Sequence, residues 1–133
     1  MTTASLTIVV RSTEIDVNGH VNNARYLEYL EWGREEWYEK AGLYYQVLRD
    51  LGVLTVTVNI NINYRKECLQ GEKLTIRTFP EKVGNTSFVL RQEIANASNE
   101  ICIDARVTCV TVDTETRKSV MVPGRLRELF SGK

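Results

Sequence analysis

Several features that this chain of 133 residues lacks narrow its chemistry before any motif is read. It holds one histidine, His20, and no G-x-S-x-G elbow, so a serine or cysteine hydrolase has neither a choice of base nor a place for its nucleophile. The three cysteines, Cys68, Cys102 and Cys109, show no C-x-x-C spacing, which argues against a disulfide framework and against a zinc site. No apolar run approaches the roughly 20 residues that span a bilayer. The apolar stretch within Met1 to Val10 is short and lacks the basic start of a secretory signal. Seventeen basic residues balance seventeen acidic ones, so no overall field draws the chain to nucleic acid or to an anionic membrane. There is no metal-ligand cluster and no glycine-rich nucleotide loop. The expectation is a cytoplasmic protein with no metal and no cofactor, whose anionic ligands need a local cluster of cations.

What is present reads as one globular domain over residues 1–133, with 43% hydrophobic and 26% charged residues. Leu6 to Arg11 has strand character. Asn23 to about Lys40 has helical spacing, with Ala24, Leu27, Leu30, Trp37 and Ala41 on one stripe and Tyr26 and Gly33 beside it. Asn22 or Asn23 is the expected N-cap. Gly33 costs about 1 kcal/mol against alanine inside a helix, so its expected use is close approach to a sheet. Tyr44 to Leu51 reads as a second short helix closed by Gly52.

The period then changes. From Leu54 to Arg65 apolar and polar residues alternate strictly, the signature of a half-buried strand. Leu74 to Pro80, Phe88 to Ile94 and Ile101 to Asp113 continue the strands, with a bulge or edge expected at Pro80. A brief return to β character follows at Ser119 to Val122, and Arg125 to Phe130 suggests a terminal helical turn. One long helix between a first strand and an antiparallel run predicts α+β architecture, with the sheet curled around the helix. The helix covers one face only. Val110 and Val112 beside Cys102 and Thr108 make the other face too apolar to stand wholly in water, so pairing between protomers is expected.

Polar chemistry concentrates where the first strand gives way to the long helix. Asp16, Asn18, Gly19, His20, Asn22 and Asn23 lie within eight positions. Asp and Asn are also common turn formers, because their side chains bond to nearby backbone. A helix start, however, offers unpaired N–H groups and partial positive charge to an oxyanion. A nearby aspartate then serves acyl transfer, either as general base toward water or as nucleophile. Spacing alone leaves those two open.

The run from Thr13 to Glu31, written Thr13-Glu14-Ile15-Asp16-Val17-Asn18-Gly19-His20-Val21-Asn22-Asn23-Ala24-Arg25-Tyr26 and onward, resembles the start of hotdog-fold thioesterases. It is most similar to the 4-hydroxybenzoyl-CoA thioesterase-like acyl-CoA thioesterases, and its D-x-N-x-H-V-N-N-x-x-Y form also resembles plant acyl-ACP thioesterases. A weaker likeness continues through Asn63-Tyr64-Arg65 and Gly71 to Leu74. The resemblance implies a hotdog fold, an antiparallel sheet wrapped around one long central helix. It implies Asp16 as the catalytic carboxylate, the backbone N–H at Asn23 as oxyanion donor, and His20 as a group that orients or polarises the site. Some relatives carry histidine or tyrosine where this chain has Asn22 or Asn23, which removes a side-chain acid but leaves the backbone donor. Asn18, Gly19, Asn22, Tyr26, Glu31 and Arg65 complete the implied substrate-binding set, with Arg65 facing phosphates. The partner is an acyl-CoA substrate, in a homodimer or a homotetramer built as a dimer of dimers, with the site at the protomer interface. An acyl-ACP substrate, or a non-catalytic acyl-CoA-binding protein, is the alternative.

Overall fold

The computed structural model describes residues 1–131. Strands β1 (Ala4–Val9), β2 (Val53–Tyr64), β3 (Lys73–Val83), β4 (Ser87–Ala95) and β5 (Ile101–Asp113) form one antiparallel sheet in the order β1-β3-β4-β5-β2. Helix α1 (Arg25–Lys40) lies against one face, followed by the short α2 (Tyr45–Asp50), and α3 (Gly124–Arg127) closes the far end. This is the expected α+β arrangement, with β1 and β2 as its two edges. No helix is long and apolar enough to cross a membrane among the described residues.

The buried side of α1 is Tyr26, Tyr29, Leu30, Gly33 and Trp37, a stripe at helical spacing. It is rotated from the expected one, for Leu27 is exposed and Tyr29 takes the inward place. The phenols explain the rotation, since each finds a polar partner while its ring fills the core. Tyr29 donates to Glu14 Oε1 at 2.7 Å, and Tyr26 Oη accepts the Cys68 N–H at 3.2 Å. Gly33 meets the sheet as expected. A Cβ built there would stand 2.5 Å from Ile76 Cγ2. Beside it, the buried Gln92 donates from Nε2 to Leu30 O and to Thr78 Oγ1, both at 2.9 Å, and accepts from Arg34. That amide bolts the middle of the helix to the middle of the sheet.

Several expectations need correction. The helix begins two residues later than the pattern suggests, and Ala24 rather than an asparagine occupies the cap position. Asn22 acts one step earlier: its Oδ1 accepts the Ala24 N–H and its carbonyl the Arg25 N–H, so the incoming turn is still closed by asparagine. The strict alternation of β2 also hides a break. Thr57 pairs with Cys109 and Asn59 with Thr108, which leaves Val58 as a bulge. Val53, Thr55 and Thr57 therefore share the helix side with Ile60, Ile62 and Tyr64, and the phase flips between them. The bulge expected near Pro80 is present, but β3 runs on past it to Val83. Ser119 to Val122 forms only an isolated bridge to Val112, and Cys102 is buried in the core instead of on the outer face.

Candidate active site

Strand β1 hands over to α1 through a turn of 3-10 helix, Ser12–Glu14, and then a tight hairpin. Ile15 bridges Val21, the Asp16 N–H bonds to His20 O at 2.9 Å, and the Gly19 N–H returns to Asp16 O at 3.0 Å. The fold of this loop needs its sequence. Gly19 has φ of +84°, the left-handed region where glycine carries no Cβ penalty. Asp16 Oδ1 accepts the Asn18 N–H at 2.8 Å, an Asx turn that fixes the carboxylate above the loop. Asn18 thus contributes its backbone, and its side chain is exposed.

The second carboxylate oxygen of Asp16 faces the imidazole, with Oδ2 3.9 Å from His20 Nδ1. His20 Nδ1 lies 3.3 Å from Val21 O, and Nε2 is 3.9 Å from Glu67 Oε2. The histidine therefore stands between two carboxylates. Beside it opens a cleft of about 270 Å³ lined by His20, Val21, Asn23, Tyr26, Tyr64, Arg65, Lys66 and Glu67. At its edge the Asn23 backbone N–H finds no acceptor among the described residues, at a point where the helix dipole favours negative charge. The turn sets a fixed carboxylate beside the imidazole, and the imidazole lines the cleft together with Asn23 and its unspent donor.

The remaining implied residues divide. Tyr26 lines the cleft with its ring, but its hydroxyl is committed to Cys68, and burial pushes the phenol well above its ordinary range. Arg65 lines the cleft while ion-paired with Asp104, whose carboxyl it holds below the usual range. Lys66 faces Glu100 at 3.8 Å. Glu31 is not in this cleft. It lies further along α1 in a groove of about 150 Å³ with Arg34, Glu35, Tyr38, Thr55 and Thr57, beside the β2 edge. Its neighbours on the helix are engaged elsewhere, since Arg25 pairs with Glu28 and Arg34 bonds to Gln92.

Two residues escape a reading of the sequence. Tyr64 donates to Asn23 O at 3.2 Å and packs edge-on against Tyr26 with ring centroids 5.7 Å apart, so the end of β2 pins the start of α1. Its signal was its place at the end of the alternating run, once the bulge is allowed for. Glu14 is buried beneath the hairpin, and only the phase of α1 reveals its partner Tyr29. Among the described residues no group of three His, Cys, Asp or Glu side chains is placed to hold a metal.

A family model described as "Thioesterase-like superfamily" matches residues 10–130. The chain is 38% identical over 122 residues to the long-chain acyl-CoA thioesterase FadM of Escherichia coli, covering 91% of this chain and 92% of that protein. It is 34% identical over 113 residues to the putative acyl-CoA thioesterase YneP of Bacillus subtilis, covering 85% and 82%. Among solved structures, the probable thioesterase YbaW of Escherichia coli superposes with a TM-score of 0.85 at 36% identity, over 94% of each chain. The DHNA-CoA thioesterase of Staphylococcus aureus matches with a TM-score of 0.83 at 24% identity, over 91% and 81%, a likeness of fold alone.

Proposed function

The chain belongs to the thioesterase-like superfamily, and on that premise we propose that it hydrolyses an acyl-CoA thioester to a free acid and CoA, with Asp16 as general base. The observation that carries this reading is the Asp16 carboxylate held 3.9 Å from His20, which lines the same cleft as Asn23 with its unspent N–H just before α1. One oxygen of Asp16 is tied to the Asn18 N–H, and the other is left for a water. Asp16 takes a proton from that water as its oxygen bonds to the thioester carbon. The carbonyl electron pair moves onto the oxygen, which the Asn23 N–H and the positive end of α1 stabilise. Collapse breaks the C–S bond, and the departing thiolate takes the proton held by Asp16. His20, 3.9 Å from Oδ2, orients the carboxylate.

The assembly belongs to the same proposal. Strand β2 is a twelve-residue edge, and its unpaired side suits a second copy of the chain in a homodimer. The partner's helix and edge then close the cleft, and Glu31 beside that edge contributes across the interface rather than within its own protomer. Dimers of dimers give the tetramer. Cytoplasmic residence is part of the proposal, in keeping with a CoA substrate. Arg65 and Lys66 are each answered by a carboxylate, which speaks against a basic platform for an acidic carrier protein.

The test is free-thiol release from long, short and aromatic acyl-CoAs, with acyl-ACP alongside. Long-chain acyl-CoA comes first because of the substrate in the FadM name. Asp16→Asn should keep the fold and oligomer and lower turnover by at least ~100-fold, the worth of a general base. Near-normal turnover in that variant removes Asp16 from the mechanism. Single turnover in ¹⁸O-water tests the nucleophilic role: a base puts solvent oxygen into the acid at the first turnover, whereas an anhydride opened by water at the Asp16 carbon leaves the acid with the oxygen of Asp16 and the label on the enzyme. Turnover of acyl-ACP alone, or silence on every thioester, replaces this reading with one of the alternatives.

A further inference from the structure

We propose that Glu14 is a positioning residue, whose buried carboxylate sets where Asp16 stands relative to the Asn23 N–H. The inference rests on the thioesterase reading of the hairpin and adds to it the device that holds the hairpin in register. Among the described residues, Glu14 is the one carboxylate with almost no exposed surface; the other buried polar residues are Thr78, Gln92 and Thr111. A buried carboxylate is costly unless its hydrogen bonds are met. Glu14 meets them with a single atom. Its Oε1 accepts the Arg11 N–H at 2.9 Å and the Tyr29 hydroxyl at 2.7 Å.

Those two donors come from different elements. Arg11 follows the end of β1, and Tyr29 is in the second turn of α1. The backbone of Glu14 serves the hairpin, since its carbonyl accepts the Asn22 N–H at 2.9 Å and the next residue, Ile15, bridges Val21. One residue therefore joins strand end, hairpin base and helix. Tyr29 is fully buried and stacks edge-on against Tyr26, with centroids 6.0 Å apart, so the anchor on the helix side is rigid. Asp16 is two residues from Glu14, and Asn23 directly follows the residue whose N–H Glu14 holds. A slip at Glu14 moves both reacting partners, in opposite directions along the chain.

The geometry also predicts which substitution is harmless. Oε2 has no partner among the described residues, and Glu14 borders an open cleft of about 420 Å³ with Thr7, Ile8, Val9, Arg11 and Trp32. A glutamine keeps one acceptor for both donors, and its amide nitrogen takes the place of the unpartnered oxygen. What the position requires is an acceptor at this point, and charge is secondary.

Steady-state kinetics on acyl-CoA, with thermal melts and amide exchange, tests this. Glu14→Ala should lower kcat about 10- to 100-fold with KM within about twofold, the signature of misplaced reacting groups. Glu14→Gln should restore kcat to within about threefold of the parent, because its carbonyl accepts both bonds. Amide exchange at Asp16, Gly19, Val21 and Asn22 should quicken at least ~10-fold in the alanine variant and stay near normal in the glutamine variant. Should Glu14→Ala fail to fold, Tyr29→Phe decides. It removes one hydroxyl and should lower kcat about fivefold at constant KM, with faster exchange of the same amides.

A folded alanine variant with parental kcat overturns the proposal, and so does a glutamine variant as slow as alanine. Unchanged kcat and exchange in Tyr29→Phe overturn it as well. If Asp16→Asn keeps its turnover, the catalytic reading fails on its own account. Exchange of the hairpin amides then still judges Glu14: faster exchange supports it, and equal exchange overturns it.

Discussion

Replacing Gly33 by alanine sets two physical rules against each other, and the structure decides the sign. Helix propensity alone favours alanine by about 1 kcal/mol at an interior position. The sheet opposes it. The new methyl would stand 2.5 Å from Ile76 Cγ2, 3.1 Å from Gln92 Nε2 and 3.2 Å from Thr78 Oγ1. Ile76 is fully buried and β-branched, so its methyl has no free space to enter. Relief requires α1 to lift, and lifting stretches the Gln92 bonds to Leu30 and Thr78. Overpacking of this kind costs about 1–3 kcal/mol, and a weakened buried hydrogen bond adds about 1 kcal/mol. After the propensity gain, the net loss is about 1–3 kcal/mol, a fall in Tm of roughly 4–11 °C for a domain of this size. Differential scanning calorimetry of Gly33→Ala measures it directly. A variant as stable as the parent, or more so, would refute the claim that α1 touches the sheet at Gly33.

Tyr26→Phe leaves the buried Cys68 N–H without its acceptor, and should cost about 1–3 kcal/mol in urea unfolding; a loss under ~0.5 kcal/mol would contradict it. Burial pushes the Cys68 thiol up to about 12, above the unfolded value of about 8.5. The folded state therefore keeps that proton longer, so stability falls as pH rises from about 8.5 towards 12. Cys68→Ala should flatten this alkaline decline in urea midpoints, and an unchanged slope would exclude Cys68 as its source. Val58 is exposed on the β2 edge, so Val58→Lys should leave the fold intact, move the proposed dimer toward monomer and cut thiol release at least ~10-fold. Light scattering that still finds the dimer, or a parent that is already monomeric, would remove β2 from the interface.

What the sequence makes legible is local. Asp16, Asn18, Gly19 and His20 bond mainly to one another and to near neighbours, so their residue types alone announce a tight hairpin with a carboxylate upon it. The five strands are legible for the same reason, because period and turn residues are properties of short segments. What stays hidden needs a distant partner. Leu27 and Tyr29 differ little as helix residues, and only Glu14, fifteen positions away, selects Tyr29 for the inward stripe. Glu31, expected in the site from its place in the motif, stands beside the β2 edge, a position that only the packing of the helix on the sheet reveals. Arg65, expected to face phosphates, lines the cleft paired with Asp104, a partner that only the register of the neighbouring strand reveals.

The bulge at Val58 ties the candidate site to the proposed assembly. If β2 alternated without interruption, a register that put Thr55 and Thr57 on the helix side would turn Asn59, Asn61 and Asn63 inward too. Three amides would then need partners in an apolar core. The extra residue avoids this and lets each half of the strand keep its preferred face. Downstream, Ile60 and Ile62 join the core and Tyr64 reaches Asn23 at the helix start. Upstream, Thr55 accepts from Tyr38 and Thr57 meets Cys109 at 3.8 Å. The consequence is that Leu54 and Val56 turn outward, with Val56 42% and Val58 57% exposed. Full burial of such a side chain is worth about 1.5–3 kcal/mol, and each of these two, about half exposed, forgoes roughly half of that. A strand that gives this up in order to place Tyr64 recovers it only where another surface covers its outer half. The same residue that aligns the end of β2 with the helix start thus supplies the apolar edge on which a second protomer is proposed to dock.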